Sequence, residues 1–132
     1  MTAFVLDASA AAAYHMPDEA AEPVLVELIE GDRAFVAPWL LWAEFRNVLV
    51  IRMRRGAIDR SGVEPILAGF RGLDLDDDAE PDGERTMSPA HAHGLTVCDA
   101  LYPELALRRG AGLLTLDRRP AAAAAAEGVG VP

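Results

Sequence analysis

Short apolar runs alternate with longer stretches of helical periodicity along the chain. Residues 3–6 (Ala3-Phe4-Val5-Leu6) are four apolar positions stopped by Asp7-Ala8-Ser9, too brief for a helix and suited to a buried strand. Asp7 or Ser9 can then cap a small Ala-rich helix running towards Tyr14. Asp18 opens a second helix, in which Val24, Leu25, Leu28 and Ile29 recur at helical spacing before Gly31 stops it. Ala34-Phe35-Val36-Ala37 predicts a second strand. Pro38 suits the first turn of a helix, and the segment from Trp39 has no Gly or Pro until Gly56, so the longest helix is expected there. That helix is apolar on most of its circumference, from Trp39, Leu41 and Trp42 to Ile51 and Met53. One core-facing stripe needs less, and a second buried face suggests a partner.

Further on, Asp59 or Ser61 caps a helix through Phe70, and Leu73-Asp74-Leu75 offers a short strand. Residues 76–82 are mostly acidic and are expected to form a solvated loop. A helix over about 83 to 93 is expected to break or restart near Ser88, because Pro89 cannot donate to the helical ladder; Gly94 ends it. Thr96 is the N-cap of a helix over Val97–Arg109, stopped by Gly110, and Asp99 falls in its first turn, where the helix dipole favours negative charge. Residues 113–116 form another strand, Arg118 to Ala126 a terminal helix, and residues 129–131 a last edge strand. Strands alternating with helices, without repeats or linkers, predict one three-layer α/β/α domain over residues 1–132 with a central, mainly parallel sheet.

Composition narrows the chemistry. A chain of 132 residues can bury a core unaided, and its single Cys98 excludes an intrachain disulfide. No apolar run reaches the roughly 18 residues a bilayer crossing needs, so a soluble cytoplasmic protein without a membrane role is expected. The net charge of -9 argues against coating nucleic acid through bulk electrostatics, so any phosphate chemistry must be local. All the basic residues are arginine, which excludes mechanisms that need a lysine.

Four acids stand out against this background. Asp7 and Asp117 each end an apolar strand, which puts both at the C-terminal mouth of a parallel sheet, where open α/β sheets bind ligands. Glu44 has Leu40, Leu41 and Val48 as helix neighbours, where a bare carboxylate is costly, so something cationic should meet it. A folded-over Arg46, Arg52 or Arg108 would serve as well as a metal. Asp7, Asp99 and Asp117 each have an ordinary reading as helix caps, but all of these readings would have to hold together. Converging acids suit a hard divalent cation such as Mg²⁺, which keeps several waters and needs only one or two direct carboxylates. His91 and His93 face different directions on their helix and His15 stands alone, so a zinc site is not expected. Cys98 suits a small buried residue better than a nucleophile.

The segments Phe4-Val5-Leu6-Asp7-Ala8-Ser9, Pro38 with Glu44 and Asn47, Thr96-Val97-Cys98-Asp99-Ala100-Leu101-Tyr102 and Leu113-Leu114-Thr115-Leu116-Asp117-Arg118-Arg119 occur in an order that spans nearly the whole chain. In this it resembles the PIN-domain ribonucleases, and most closely the VapC-type toxins of toxin–antitoxin pairs. The resemblance implies that Asp7, Glu44, Asp99 and Asp117 hold Mg²⁺ or Mn²⁺ and hydrolyse RNA, with Asp7 and Asp99 the direct ligands. Ser9 and Thr115 would support them, and Asn47 would orient Glu44 or touch substrate. Arg46, Arg108, Arg118 and Arg119 are candidates for guiding RNA to the acids, although each could equally be a solvated surface charge. A homodimer formed partly through the long helix and adjoining helices is expected, and the resemblance also implies a small antitoxin whose C-terminal segment occludes the site. One departure is Pro103, which removes the hydrogen bond to the Asp99 carbonyl, so the helix should bend or Asp99 be displaced.

Other acid-based enzymes fit less well. A haloacid-dehalogenase-like phosphatase needs a second Asp where Ser9 stands and generally a lysine; a receiver domain lacks the same lysine, and no P-loop is present. The alternative from another class is a PIN-like fold that no longer cleaves and serves as a binding or scaffold module.

Overall fold

A computed structural model describes residues 3–17, 19–79 and 83–132. Four strands, β1 (Phe4–Leu6), β2 (Phe35–Pro38), β3 (Leu75–Asp78) and β4 (Gly112–Leu114), form one sheet in the order β3-β2-β1-β4. Every pairing is parallel. Seven helices accompany them among the described residues: α1 (Ala8–His15), α2 (Pro23–Glu30), α3 (Leu40–Arg54), α4 (Arg60–Arg71), α5 (Gly83–His93), α6 (Val97–Arg109) and α7 (Arg118–Ala126).

Alternation within the strands builds the layers. Phe4, Leu6, Phe35, Ala37 and Leu114 face one core, closed by Ala10 and Ala11 of α1, Leu25 of α2, Leu41, Phe45 and Leu49 of α3 and Ile66 and Phe70 of α4. Val5, Val36 and Leu113 face the other, closed by Tyr102, Leu105 and Ala106 of α6 and Ala124 of α7. Strands β1, β2 and β4 are therefore apolar on both sides, as a covered parallel sheet requires. The result is the three-layer α/β/α arrangement with an all-parallel sheet. Gly112 permits a close approach at the base of the sheet, since a Cβ there would lie 2.7 Å from the Phe4 ring.

Several local expectations change. Pro38 closes β2 instead of opening α3, which starts at Leu40. As the last strand residue it can spare its missing N–H. The acidic segment does not start as a loop: Asp76, Asp77 and Asp78 belong to the edge strand β3, paired to Val36, Ala37 and Pro38. Residues 80–82 of that expected loop, and Asp18 as a helix opener, lie outside the described residues; α2 begins at Pro23. Helix α5 runs unbroken through Pro89, and α6 through Pro103, whose ring is fully buried. Residues 129–131 form no strand, although the Leu113 N–H donates to the Gly130 carbonyl at 2.9 Å beside β4. No helix among the described residues is long and apolar enough to cross a membrane.

Asp78 explains why an acidic segment can be a strand. Arg108 of α6 grips its carboxylate through both terminal nitrogens, at 2.6 and 3.2 Å, while the Arg108 Nε donates at 2.7 Å to buried Glu104 one turn earlier. The guanidinium thus satisfies two buried acids and ties the edge strand to the helix layer. Its hydrogen bonds hold the Asp78 carboxyl below the ordinary 3.8. Folded Asp78 therefore binds its proton more weakly than unfolded Asp78, so the stabilisation is complete above 3.8 and is lost as pH falls further. Arg108→Met is expected to destabilise the protein by about 3 kcal/mol. Acid unfolding monitored by circular dichroism should show a limb below pH 3.8 that Asp78→Asn removes; an unaltered limb would contradict this role for the pair.

Candidate active site

The chain passes from β1 outward to β2 and β3, then returns to place β4 on the other side of β1. Such a reversal opens a crevice at the C-terminal ends of β1 and β4. Asp7 follows β1 and Asp117 follows β4 at that edge, where Asp7 N–H donates to the Leu114 carbonyl at 3.3 Å. Asp7, Glu44, Asp99 and Asp117 line one cleft of about 80 Å³ with Ala8, Ser9, Tyr102 and Pro120.

Each acid is set by its own element. Asp7 caps α1, accepting from the Ala10 N–H at 3.0 Å, and Asp117 caps α7, accepting from the Arg119 N–H at 3.3 Å. Asp99 lies in the first turn of α6, its N–H donating to Thr96 Oγ1 at 3.1 Å. Three helix N-termini thus face the acids, and their partial positive charge favours a carboxylate there. Glu44 comes from the interior of α3. With Pro103 inside α6, Asp99 lines the cleft.

A hydroxyl network surrounds Asp7, which is 6% exposed. Ser9 Oγ donates to Asp7 Oδ1 at 2.7 Å, and Thr115 Oγ1 donates to Asp7 Oδ2. These hydroxyls are 3.2 Å apart and also accept backbone N–H groups from the β4–α7 connection, Leu116 at 2.8 Å and Asp117 at 3.0 Å. The network locks the loop carrying Asp117 to the loop carrying Asp7. Burial nevertheless pushes the Asp7 carboxyl up from its ordinary range, outweighing these bonds, and the charge of Asp117 adds to the rise.

Among the described residues Glu44 meets no cation. Its Oε1 accepts the phenolic hydroxyl of Tyr102, whereas Arg46 stacks over Trp42 at 4.2 Å, Arg52 pairs with Glu19 and Arg108 is taken by Asp78 and Glu104. Burial raises the Glu44 carboxyl, the Tyr102 bond opposes the rise, and the charges of Asp99 and Asp7 add to it. Burial and the Glu44 bond in turn keep the Tyr102 phenol protonated, far above its ordinary range.

The remaining sequence candidates divide. Arg118 is exposed beside Asp117, and Arg119 donates to the Gly94 carbonyl at 3.2 Å, bracing α7 against the α5–α6 turn. Arg108 belongs to the buried pair described above and does not border the acids, and Arg46 is occupied on α3. Asn47 is exposed and does not line the cleft. Cys98 is exposed, not buried. Tyr102 closes the motif segment that begins at Thr96 but had no role assigned from the sequence; its signal was its place three residues after Asp99, on the same helix face.

The donor set is of the kind a hard divalent cation takes: oxygen ligands only, and raised acids without a cationic partner among the described residues. Among the described residues no three acidic, histidine or cysteine side chains already converge as ligands of one ion.

A model of the PIN domain matches residues 4–126, and the chain belongs to the PIN domain family. PIN domains are generally nucleases and typically use divalent metals. Among solved structures the chain is similar to PAE2754 from Pyrobaculum aerophilum, with 23% identity and a TM-score of 0.74 over 98% of this chain and 83% of that one. It is also similar in fold to FitAcB from Neisseria gonorrhoeae, with 18% identity and a TM-score of 0.58 over 97% and 95% of the two chains. The structure of FitAB bound to the IR36 DNA fragment gives 20% identity and a TM-score of 0.58 over 98% and 93%. No curated protein matches the sequence significantly.

An ionised Asp7 costs the fold stability. Because its folded pKa is raised, the cost is absent below the ordinary 3.8 and grows as pH rises through the folded value. Asp7→Asn keeps a cap and similar hydrogen-bonding atoms, so in EDTA at neutral pH it is expected to melt a few degrees higher than the parent. The gap should close towards pH 3.8. A lower melting temperature at neutral pH would show that the hydroxyl network outweighs the burial.

Proposed function

We propose that this PIN domain is a metal-dependent endoribonuclease, the toxin of a VapC-type toxin–antitoxin pair. The observation that carries the reading is one cleft lined by Asp7, Glu44, Asp99 and Asp117, four acids without a cationic partner among the described residues, at the topological switch of a nuclease fold. Asp7 and Asp99 would hold Mg²⁺ or Mn²⁺ directly, with Glu44 and Asp117 acting directly or through water. Bound there, the ion supplies Lewis acidity, making water a competent nucleophile at neutral pH and offsetting charge on the phosphate oxygens.

The chain's own groups do the rest. Ser9, Thr115 and the Ala10 N–H fix both oxygens of Asp7, so it needs no reorganisation when an ion arrives. Glu44, with Oε1 taken by Tyr102, has Oε2 to orient the attacking water and accept its proton. Arg118, exposed next to Asp117, would meet an incoming phosphate and so let an acidic protein take RNA through local charge.

The motif set that resembles VapC toxins supports RNA as substrate, a small antitoxin as partner and a homodimer. Trp39, which caps α3, is 50% exposed and Trp42 61%, with Val50 and Met53 of α3 exposed on the same side, an apolar face that suits either partner.

Incubated with labelled RNA and Mn²⁺, the parent is expected to cleave internally, EDTA to stop it, and Asp7→Asn or Glu44→Gln to slow it at least about a hundredfold. Equal cleavage by parent and Asp7→Asn would sink the mechanism. Light scattering should give a dimer, and Trp42→Glu should shift it to monomer; a parent that stays monomeric at high concentration counts against the dimer.

A further inference from the structure

Glu44 is a half-buried acid whose charged neighbours are the like charges of Asp99 and Asp7. Its one hydrogen-bond partner among the described residues is neutral: the hydroxyl of Tyr102, reaching across from α6 to α3. We propose that Tyr102 is a positioning residue for the metal site, its phenol fixing Glu44 in the cleft while leaving the carboxylate's charge uncancelled. The inference rests on the metal-nuclease reading and adds a residue to it.

The geometry supports this in three ways. The Tyr102 ring is 4% exposed and packs with Val5, Val36, Leu105 and Leu113, so the hydroxyl is carried on a rigid mount spanning helix and sheet. Tyr102 also stands one turn from Asp99 on α6, so the helix that presents one acid to the cleft orients a second. Finally, a neutral donor does what an arginine could not. It satisfies one oxygen of a desolvated carboxylate, yet leaves full negative charge and the other oxygen for a divalent ion or its water. An arginine in that place would hold the acid equally well but would compete with the ion for its charge. The Asp78–Arg108–Glu104 cluster in the same protein shows that arrangement where no ion is needed.

The test is a double-mutant cycle read by Mn²⁺ binding, with free ion measured by electron paramagnetic resonance and RNA absent. Tyr102→Phe keeps the ring and is expected to weaken binding about tenfold. Glu44→Gln should weaken it at least as much, and the double variant should bind no more weakly than Glu44→Gln alone. Unchanged affinity in Tyr102→Phe, or losses that multiply in the double variant, would overturn the proposal, since a purely structural role would act whether or not Glu44 is charged. If Asp7→Asn and Glu44→Gln also bind as the parent does, the metal site itself is wrong; if those two lose binding and Tyr102→Phe does not, only the role of Tyr102 fails. A second reading leaves Tyr102 untouched. In Tyr14→Phe, where Tyr102 is the only tyrosine left of two, saturating Mg²⁺ should perturb the tyrosine absorbance, and adding Glu44→Gln should abolish the change. A silent spectrum at saturation counts against the proposal.

Discussion

Gathering carboxylates at one edge of a sheet is electrostatically unfavourable, and the arrangement of this protein follows from how that is tolerated. Asp7 and Glu44 are both pushed towards the protonated form by burial and by their neighbours' charge. Among the described residues no side-chain cation neutralises them. Instead the fold surrounds them with neutral donors, the hydroxyls of Ser9, Thr115 and Tyr102 and the Ala10 N–H, and with the N-termini of α1, α6 and α7. Dipoles and hydroxyls stabilise negative charge without cancelling it, so the cleft keeps a standing attraction for an external cation.

The opposite solution appears along the sheet's outer edge. Asp78 and Glu104 are as buried as Asp7, yet both are bound by Arg108, and the carboxyl of Asp78 is held low. One set of acids is closed by an internal cation and serves stability; the other is left open at the C-terminal ends of β1 and β4. Burial alone does not make this distinction, because Asp7, Asp78 and Glu104 are all buried.

Much of the framework was legible in the chain. The short apolar runs mark β1, β2 and β4 to within a residue or two, and Asp7, Asp59, Thr96 and Asp117 cap the helices their spacing predicts. Residues 75–78 misled because an edge strand can carry acids, and the arginine that makes Asp78 acceptable lies 30 residues away. The prolines misled because a breaker's effect depends on its surroundings: Pro103 sits fully buried in an unbroken helix, and Pro38 takes the last position of a strand. The cleft's membership followed from strand ends and resemblance, but its internal wiring did not. Glu44 was expected to need a cation, and spacing along α3 could not reveal a phenol arriving from α6, 58 positions later.

The central claim is that the open acids form a divalent-cation site, and a crystal grown with Mn²⁺ addresses it without any assay of activity. Anomalous scattering at the manganese edge is predicted to show one strong peak in the cleft, against Asp7 and Asp99 and within reach of Glu44 and Asp117 directly or through water. A saturated crystal with no peak there, or with its peak elsewhere on this acidic surface, would contradict the account.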